Sequence, residues 1–111
     1  MDDLFLRLPV GRGMMGPGKA QLLELIARTG SIRAAASAMK LSYRRAWLLL
    51  QETEQVFGAP VLERHTGGKR GGGATLTRLG CDIIKHYRAA EARAGRAISA
   101  DLMALKKLAK N

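Results

Sequence analysis

Two helix-start signals stand close together within residues 29–47, Thr29-Gly30-Ser31-Ile32-Arg33-Ala34-Ala35-Ala36-Ser37-Ala38-Met39-Lys40-Leu41-Ser42-Tyr43-Arg44-Arg45-Ala46-Trp47. Ser31 and Ser42 each precede a helix-forming run, where a serine hydroxyl accepts a hydrogen bond from a free backbone N–H two or three residues on. Ala35, Ala36, Met39 and Leu41 give the first helix a narrow apolar face, and the small alanines let a second helix cross close over it. Two short helices across a tight polar turn make a helix-turn-helix. Tyr43-Arg44-Arg45 opens the second helix, at the end where a reading helix meets base edges.

The flanking segments set the context. Leu22, Leu23, Leu25 and Ile26 predict a helix from about Lys19 to Thr29, stopped by Gly30. The next helices are predicted over Ile32–Lys40 and Tyr43–Phe57, the latter with Ala46, Leu50, Thr53 and Phe57 inward and Gly58 at its end. Its opposite face carries Arg44, Trp47, Leu48 and Gln51, where Trp47 reads as a core or interface residue rather than a base reader. Near the N-terminus, Leu4–Val10 suits an edge strand that needs a partner elsewhere. Beyond Pro60, residues 61–64 and 74–77 are short extended candidates around a segment with five glycines in residues 67–73. A two-stranded wing with a basic tip accounts for this, and Lys69 and Arg70 would then reach phosphates or an adjacent minor groove. The blander reading is a plain flexible hairpin.

Thr77 is placed to cap a last helix reaching about Lys107, with Leu79, Ile83, Tyr87, Ala90, Ala94, Ile98, Leu102, Leu105 and Leu108 recurring every three or four positions. A helix of roughly 30 residues, about 45 Å long, cannot bury that stripe against so small a domain. Its distal part is expected to pair with the same helix of a second chain through Tyr87, Ala90, Ala94, Ile98, Leu102 and Leu105. The competing readings are a stripe for another protein or a frayed tail. The predicted organisation is one winged domain over residues 1–80 and a dimerisation segment over 81–111.

With 19 Lys and Arg against nine Asp and Glu, the 111-residue chain carries a formal charge of +10. A polyanion is the first partner to consider, against the alternative of a merely solvated basic surface. No apolar run approaches the ~20 residues that span a bilayer, so no membrane partner is expected. The acidic start Met1-Asp2-Asp3 does not read as a secretion signal, and a cytoplasmic protein is expected. The lone Cys81 cannot form an internal disulfide and is expected to be a small core residue.

Nothing points to an enzyme. Gly11, Gly13 and Gly16 fit G-x-G-x-x-G, but Pro17-Gly18 interrupts the strand-to-helix passage that a dinucleotide loop requires. Gly13 to Lys19 fits a Walker loop until Ala20 stands where Ser or Thr would hold magnesium. These glycines are expected to lie in a flexible loop. His65 and His86 are solitary, there is no Ser-His-Asp or Cys-His set, and no metal site or cofactor is expected.

Gly30-Ser31-Ile32 with Ala34-Ala35-Ala36, Leu41-Ser42, Gly58 with Pro60-Val61-Leu62, Glu63-Arg64, and Leu76-Thr77 with Gly80 resembles the winged helix-turn-helix shared by LysR-type and ModE-type regulators. Ser42-Tyr43-Arg44 leading to Ala46-Trp47, the glycine-rich wing, and Gly16-Pro17-Gly18-Lys19 are similar to the DNA-binding domain of the ModE type, the molybdate-responsive transcription factors. The fold class this implies is mainly α with a small β wing and a long C-terminal dimerisation helix. The implied function is binding of double-stranded DNA at a palindromic operator as a homodimer. Ser42, Tyr43, Arg44 and Arg45 are then the candidate base contacts, and Ser31, Arg33, Lys69 and Arg70 the candidate backbone contacts. In full-length relatives molybdate or tungstate binds in separate β-barrel domains, none of which lies before Asn111, so no such residue carries over. Arg45, Leu48 and Leu49 depart from the smaller or more polar residues expected in the reading helix. The alternatives are an architectural DNA binder or a protein-interaction module using an exposed Leu48 and Leu49 or the last helix. RNA ranks third, for want of an aromatic-rich sheet.

Overall fold

A computed structural model of the chain describes residues 4–65 and 73–110. The elements run β1 (Leu8–Val10), β2 (Gly13–Met15), α1 (Pro17–Thr29), α2 (Ile32–Ala38), α3 (Tyr43–Phe57), β3 (Leu62–His65), β4 (Gly73–Leu76) and α4 (Arg78–Leu108). The core is built where α1, α2 and α3 meet, from Leu22, Leu23, Ile26, Ala35, Ala36, Ala46 and Leu50, and is closed by Val61, Ala74, Ile83 and Tyr87.

The caps form as their residue types require. The Ser31 hydroxyl accepts from Ala34 N at 3.0 Å, Ser42 from Arg45 N at 3.0 Å, and Thr77 from Gly80 N at 3.1 Å. Gly30 and Gly58 end α1 and α3 in the left-handed conformation, with φ of 72° and 74°. Helix α2 stops at Ala38, two residues short of the predicted Lys40. Lys40 takes φ 58°, while its N–H and that of Leu41 donate to the Ser37 and Ala36 carbonyls. That is a Schellman closure with lysine in the place that usually favours glycine.

The first strand finds its partner at once. Leu8, Pro9 and Val10 pair antiparallel with Met15, Met14 and Gly13 across a Gly11-Arg12 turn. Of the glycines expected in a flexible loop, Gly11 and Gly13 therefore lie in a hairpin, Gly16 stands at the start of α1 and Gly18 lies within it. Gly11 has φ 55°, and a Cβ there would stand 2.5 Å from the Val56 carbonyl oxygen. Lys19 donates to the Met14 carbonyl at 2.8 Å and lies 3.6 Å from Glu52, so its ammonium is engaged within the protein.

The second hairpin pairs Leu62 with Leu76 through His65 with Gly73. Two bonds tie it to the helical part of the domain and a third closes its base. Ala74 N donates to the Gly30 carbonyl at 2.9 Å, Val61 N to Glu54 Oε2 at 2.8 Å, and the Thr77 hydroxyl to the Pro60 carbonyl at 2.9 Å.

Helix α4 starts in the core and leaves it. Ile83 and Tyr87 are buried, whereas Met103, Leu105 and Leu108 are 60 to 74% exposed. The radius of gyration, 16.3 Å, exceeds the about 13 Å of a compact chain of this length. The protruding helix accounts for the difference. Arg88 fastens α4 to α1 with two bonds to Glu24, at 2.6 and 3.0 Å, and a third to Glu91 at 2.8 Å. The Glu24 bonds raise its pKa above the usual guanidinium range, against desolvation and with help from Glu91.

Two expectations change here. Tyr87, expected at a dimer interface, is 3% exposed and donates its hydroxyl to the Leu6 carbonyl at 2.6 Å, so it belongs to this chain's own core. Cys81, expected in the core, is exposed, because Gly80 and Ile83 take the inward positions of that turn. Burial, followed by the Glu91 charge, pushes the Tyr87 phenol above its ordinary pKa, with Arg88 opposing. The unfolded tyrosine, with a pKa near ~10, ionises first. Stability from this group is therefore complete below that pH and is lost as pH rises through the folded value. Tyr87→Phe should lower stability by about 0.5–1.5 kcal/mol at neutral pH and remove part of the alkaline decline, as read by urea denaturation at neutral pH and above pH ~10.

Candidate nucleic-acid interface

The starts of α2 and α3 and strand β3 carry Arg33, Arg44, Arg45 and Arg64, all exposed, with Lys40 exposed in the turn between the helices. Among the described residues, none of these five is in an ion pair. A polyanion would not have to displace carboxylates to reach them. Ser42 fixes where α3 begins, and so places Arg44 and Arg45 in its first turn. Down the outer face of α3, Arg44, Leu48, Gln51 and Gln55 follow at helical spacing and are all exposed, Leu48 by 40%.

Other anticipated residues have partners within the chain. Ser31 and Ser42 serve as caps. The Arg33 guanidinium lies over the Tyr43 ring at 4.5 Å, and that ring meets Trp47 edge-on at 6.2 Å between centroids. Arg64, absent from the sequence-based candidates, stacks over the other aromatic, 4.8 Å from the Trp47 ring centre. Leu49, expected to be exposed beside Leu48, is half-buried and packs on the core, since α3 turns it toward its neighbours. Lys69 and Arg70 lie outside the described residues.

A second surface lies on α4. An apolar groove of about 400 Å³ is lined by Leu8, Val10, Phe57, Leu79, Ile83 and Ala90, among others. Farther along the helix, Gly95, Ile98, Leu102, Leu105 and Ala109 fall at alternating spacings of three and four residues, the repeat of a helix-pairing seam. Ile98 and Leu105 are exposed, and Ala94 and Leu102 are half-buried. Among the described residues no cluster of His, Cys, Asp and Glu could hold a metal, and no helix is long and apolar enough to cross a membrane.

Three helices with a short crossing turn, a two-stranded wing and a long trailing helix define a winged helix-turn-helix domain. Residues 18–81 match the model for bacterial regulatory helix-turn-helix proteins of the lysR family, and the chain belongs to that family. Its relatives include the molybdenum-pterin-binding protein MopB of Rhodobacter capsulatus, 45% identical over 77% of this chain and 32% of that one. The DNA-binding transcriptional dual regulator ModE of Escherichia coli is 44% identical over 64% of this chain and 27% of its own length. This chain thus spans about a third or less of these proteins. Among solved structures, the CbnR_DBD chain of a complex with DNA superposes with a TM-score of 0.62 at 24% identity, over 79% of this chain and 95% of that one. A LysR family transcriptional regulator superposes at 0.60 and 16% identity, over 84% of this chain and 30% of its own length. These two likenesses bear on the fold. The family is one of bacterial regulatory helix-turn-helix proteins.

Proposed function

We propose that the protein is a transcriptional regulator that binds a palindromic duplex operator as a homodimer, with α3 in the major groove and the wing against the neighbouring backbone. The observation that carries this reading is the cationic start of α3, free of ion pairs among the described residues. Arg44 and Arg45 stand exposed in the first turn behind the Ser42 cap, and a guanidinium can bond both acceptors of guanine. Homodimerisation is supported by the exposed seam of α4. It would hold two α3 helices about 34 Å apart, one duplex turn. This reading invokes no cofactor.

The test is selection of duplexes from a random pool by the purified protein at two salt concentrations. A recovered palindrome with half-sites one turn apart is the expected result. Recovery of no sequence, with weak salt-sensitive binding throughout, would instead mean an architectural binder. No duplex binding at all would point to a protein-interaction module.

The recovered duplex allows the roles to be separated. Arg44→Ala should cost roughly 1–3 kcal/mol, concentrated at one base position. Lys69→Ala should weaken every sequence alike and reduce the salt slope by about one. Equal losses on selected and random duplexes for both variants would remove α3 as the reading element.

A further inference from the structure

The three elements of the cationic face are joined by side chains that alternate cation, ring, ring and cation. Arg33 of α2 lies on Tyr43, Tyr43 meets Trp47 within α3, and Arg64 of β3 lies on Trp47. At the base of the second hairpin Val61 N holds to Glu54, and the Thr77 hydroxyl closes onto the Pro60 carbonyl. Farther along, on the rung that pairs Ala74 with Arg64, the β4 side is held by Ala74 N to the Gly30 carbonyl. On the β3 side of that rung the described side-chain contact to α3 is Arg64 on Trp47. The guanidinium is exposed and has no carboxylate within salt-bridge reach among the described residues, so the ring is its partner in the free protein. A planar guanidinium stacks flat on an indole, and the contact fixes orientation as well as distance.

We propose that Arg64 is a positioning residue for DNA recognition, which sets the angle between wing and reading helix through the face of Trp47. This rests on the DNA-binding reading above. Two DNA contacts made by elements at a fixed mutual angle require a duplex that presents both targets in one register. Loosening the angle relaxes that requirement. The consequence is loss of selectivity between the right and wrong duplex, with little change in total charge neutralised. A direct phosphate ligand would behave in the opposite way, weakening all duplexes equally and lowering the salt slope by about one.

The experiment compares the unchanged protein, Arg64→Gln, Trp47→Leu and the double variant. Each is titrated with the duplex recovered by selection and with a scrambled duplex, at two salt concentrations. Trp47 is the sole tryptophan, so the emission of the free protein reports the stacking without any DNA. Expected for Arg64→Gln are a changed Trp47 emission, an unchanged far-ultraviolet circular dichroism spectrum, and a fall in selectivity of about two- to fivefold, the size of an exposed cation–π contact. The salt slope should stay as in the unchanged protein, and the double variant should be no less selective than Trp47→Leu. Should Trp47→Leu fail to fold, emission, selectivity and salt slope of Arg64→Gln decide alone. Unchanged emission, unchanged selectivity, a salt slope lower by about one, or additive losses in the double variant would each overturn the proposal. If the unchanged protein binds neither duplex, the DNA-binding reading itself falls and takes this role with it. If it selects its duplex and Arg64→Gln does so equally well, only the role of Arg64 falls.

Discussion

Replacing Ile98 and Leu105 together by glutamate should leave the domain folded, convert the dimer into monomers, and cost most of its affinity for a two-half-site duplex. Both residues lie on the part of α4 that has left the core, and they are 36 and 62% exposed. Neither supports the folded domain, whose buried residues end on this helix at Gly95. With the half-buried Ala94 and Leu102 they form the seam proposed to meet a second copy. Burying one such side chain stabilises by about 1.5–3 kcal/mol. Removing two, and placing two carboxylates where a second pair would face them, should weaken the dimer by at least about 100-fold. Loss of the second α3 converts bivalent into single-site binding, and avidity of this kind is worth about 10²–10⁴. Light scattering should give a mass of 12.0 kDa for the variant and twice that for the unchanged protein. An unchanged protein that is itself monomeric at micromolar concentration would end the homodimer reading.

Gly80→Val should strongly destabilise the fold, with Gly80→Ala close behind. A Cβ at Gly80 would stand 2.6 Å from the Val61 carbonyl oxygen and 3.3 Å from the Leu76 Cβ. That carbonyl cannot simply move aside, because it accepts from Thr77 N at 3.0 Å and belongs to the joint between hairpin and α4. Overpacking costs about 1–3 kcal/mol and more where backbone must shift. Alanine would recover about 1 kcal/mol of helix propensity, and valine would recover less and add bulk. Urea denaturation should show Gly80→Ala lower by at least about 1 kcal/mol and Gly80→Val lower still. Gly18→Ala is the control. Gly18 lies in the first turn of α1, where an added methyl group would meet nothing within 4 Å, and the change should be neutral or slightly stabilising. Equal stability of Gly80→Ala and Gly18→Ala would show that the joint is not tight.

What could be read from residues alone was whatever depends on neighbours in the chain. Ser31, Ser42 and Thr77 cap because a hydroxyl reaches an N–H three residues ahead, and Gly30 and Gly58 stop helices because each takes positive φ. The apolar spacing of α1 and α3 located their inward faces, and Tyr43–Phe57 is the predicted span. The family likeness was legible for the same reason, since its marks are caps, turns and short apolar runs.

Apart from the end of α2, which a local turn closes at Ala38, the misreadings involve contacts made at a distance. Gly13-Met14-Met15 has too little alternation to declare a strand until Leu8–Val10 lies beside it. Helical spacing put Tyr87 in one stripe with Ile98 and Leu105, yet only the start of α4 is covered by the rest of the domain. Tyr87 was claimed by the Leu6 carbonyl, and Cys81 was left outside. Arg64 is an ordinary strand cation in sequence. It faces Trp47 because the hairpin is anchored to Gly30 and Glu54. Local chemistry therefore determined the caps and most of the helix limits, and that the start of α3 would be cationic. Tertiary packing decided which parts of the stripes are buried and which cations meet aromatic rings, because burial and stacking depend on what the rest of the chain brings alongside.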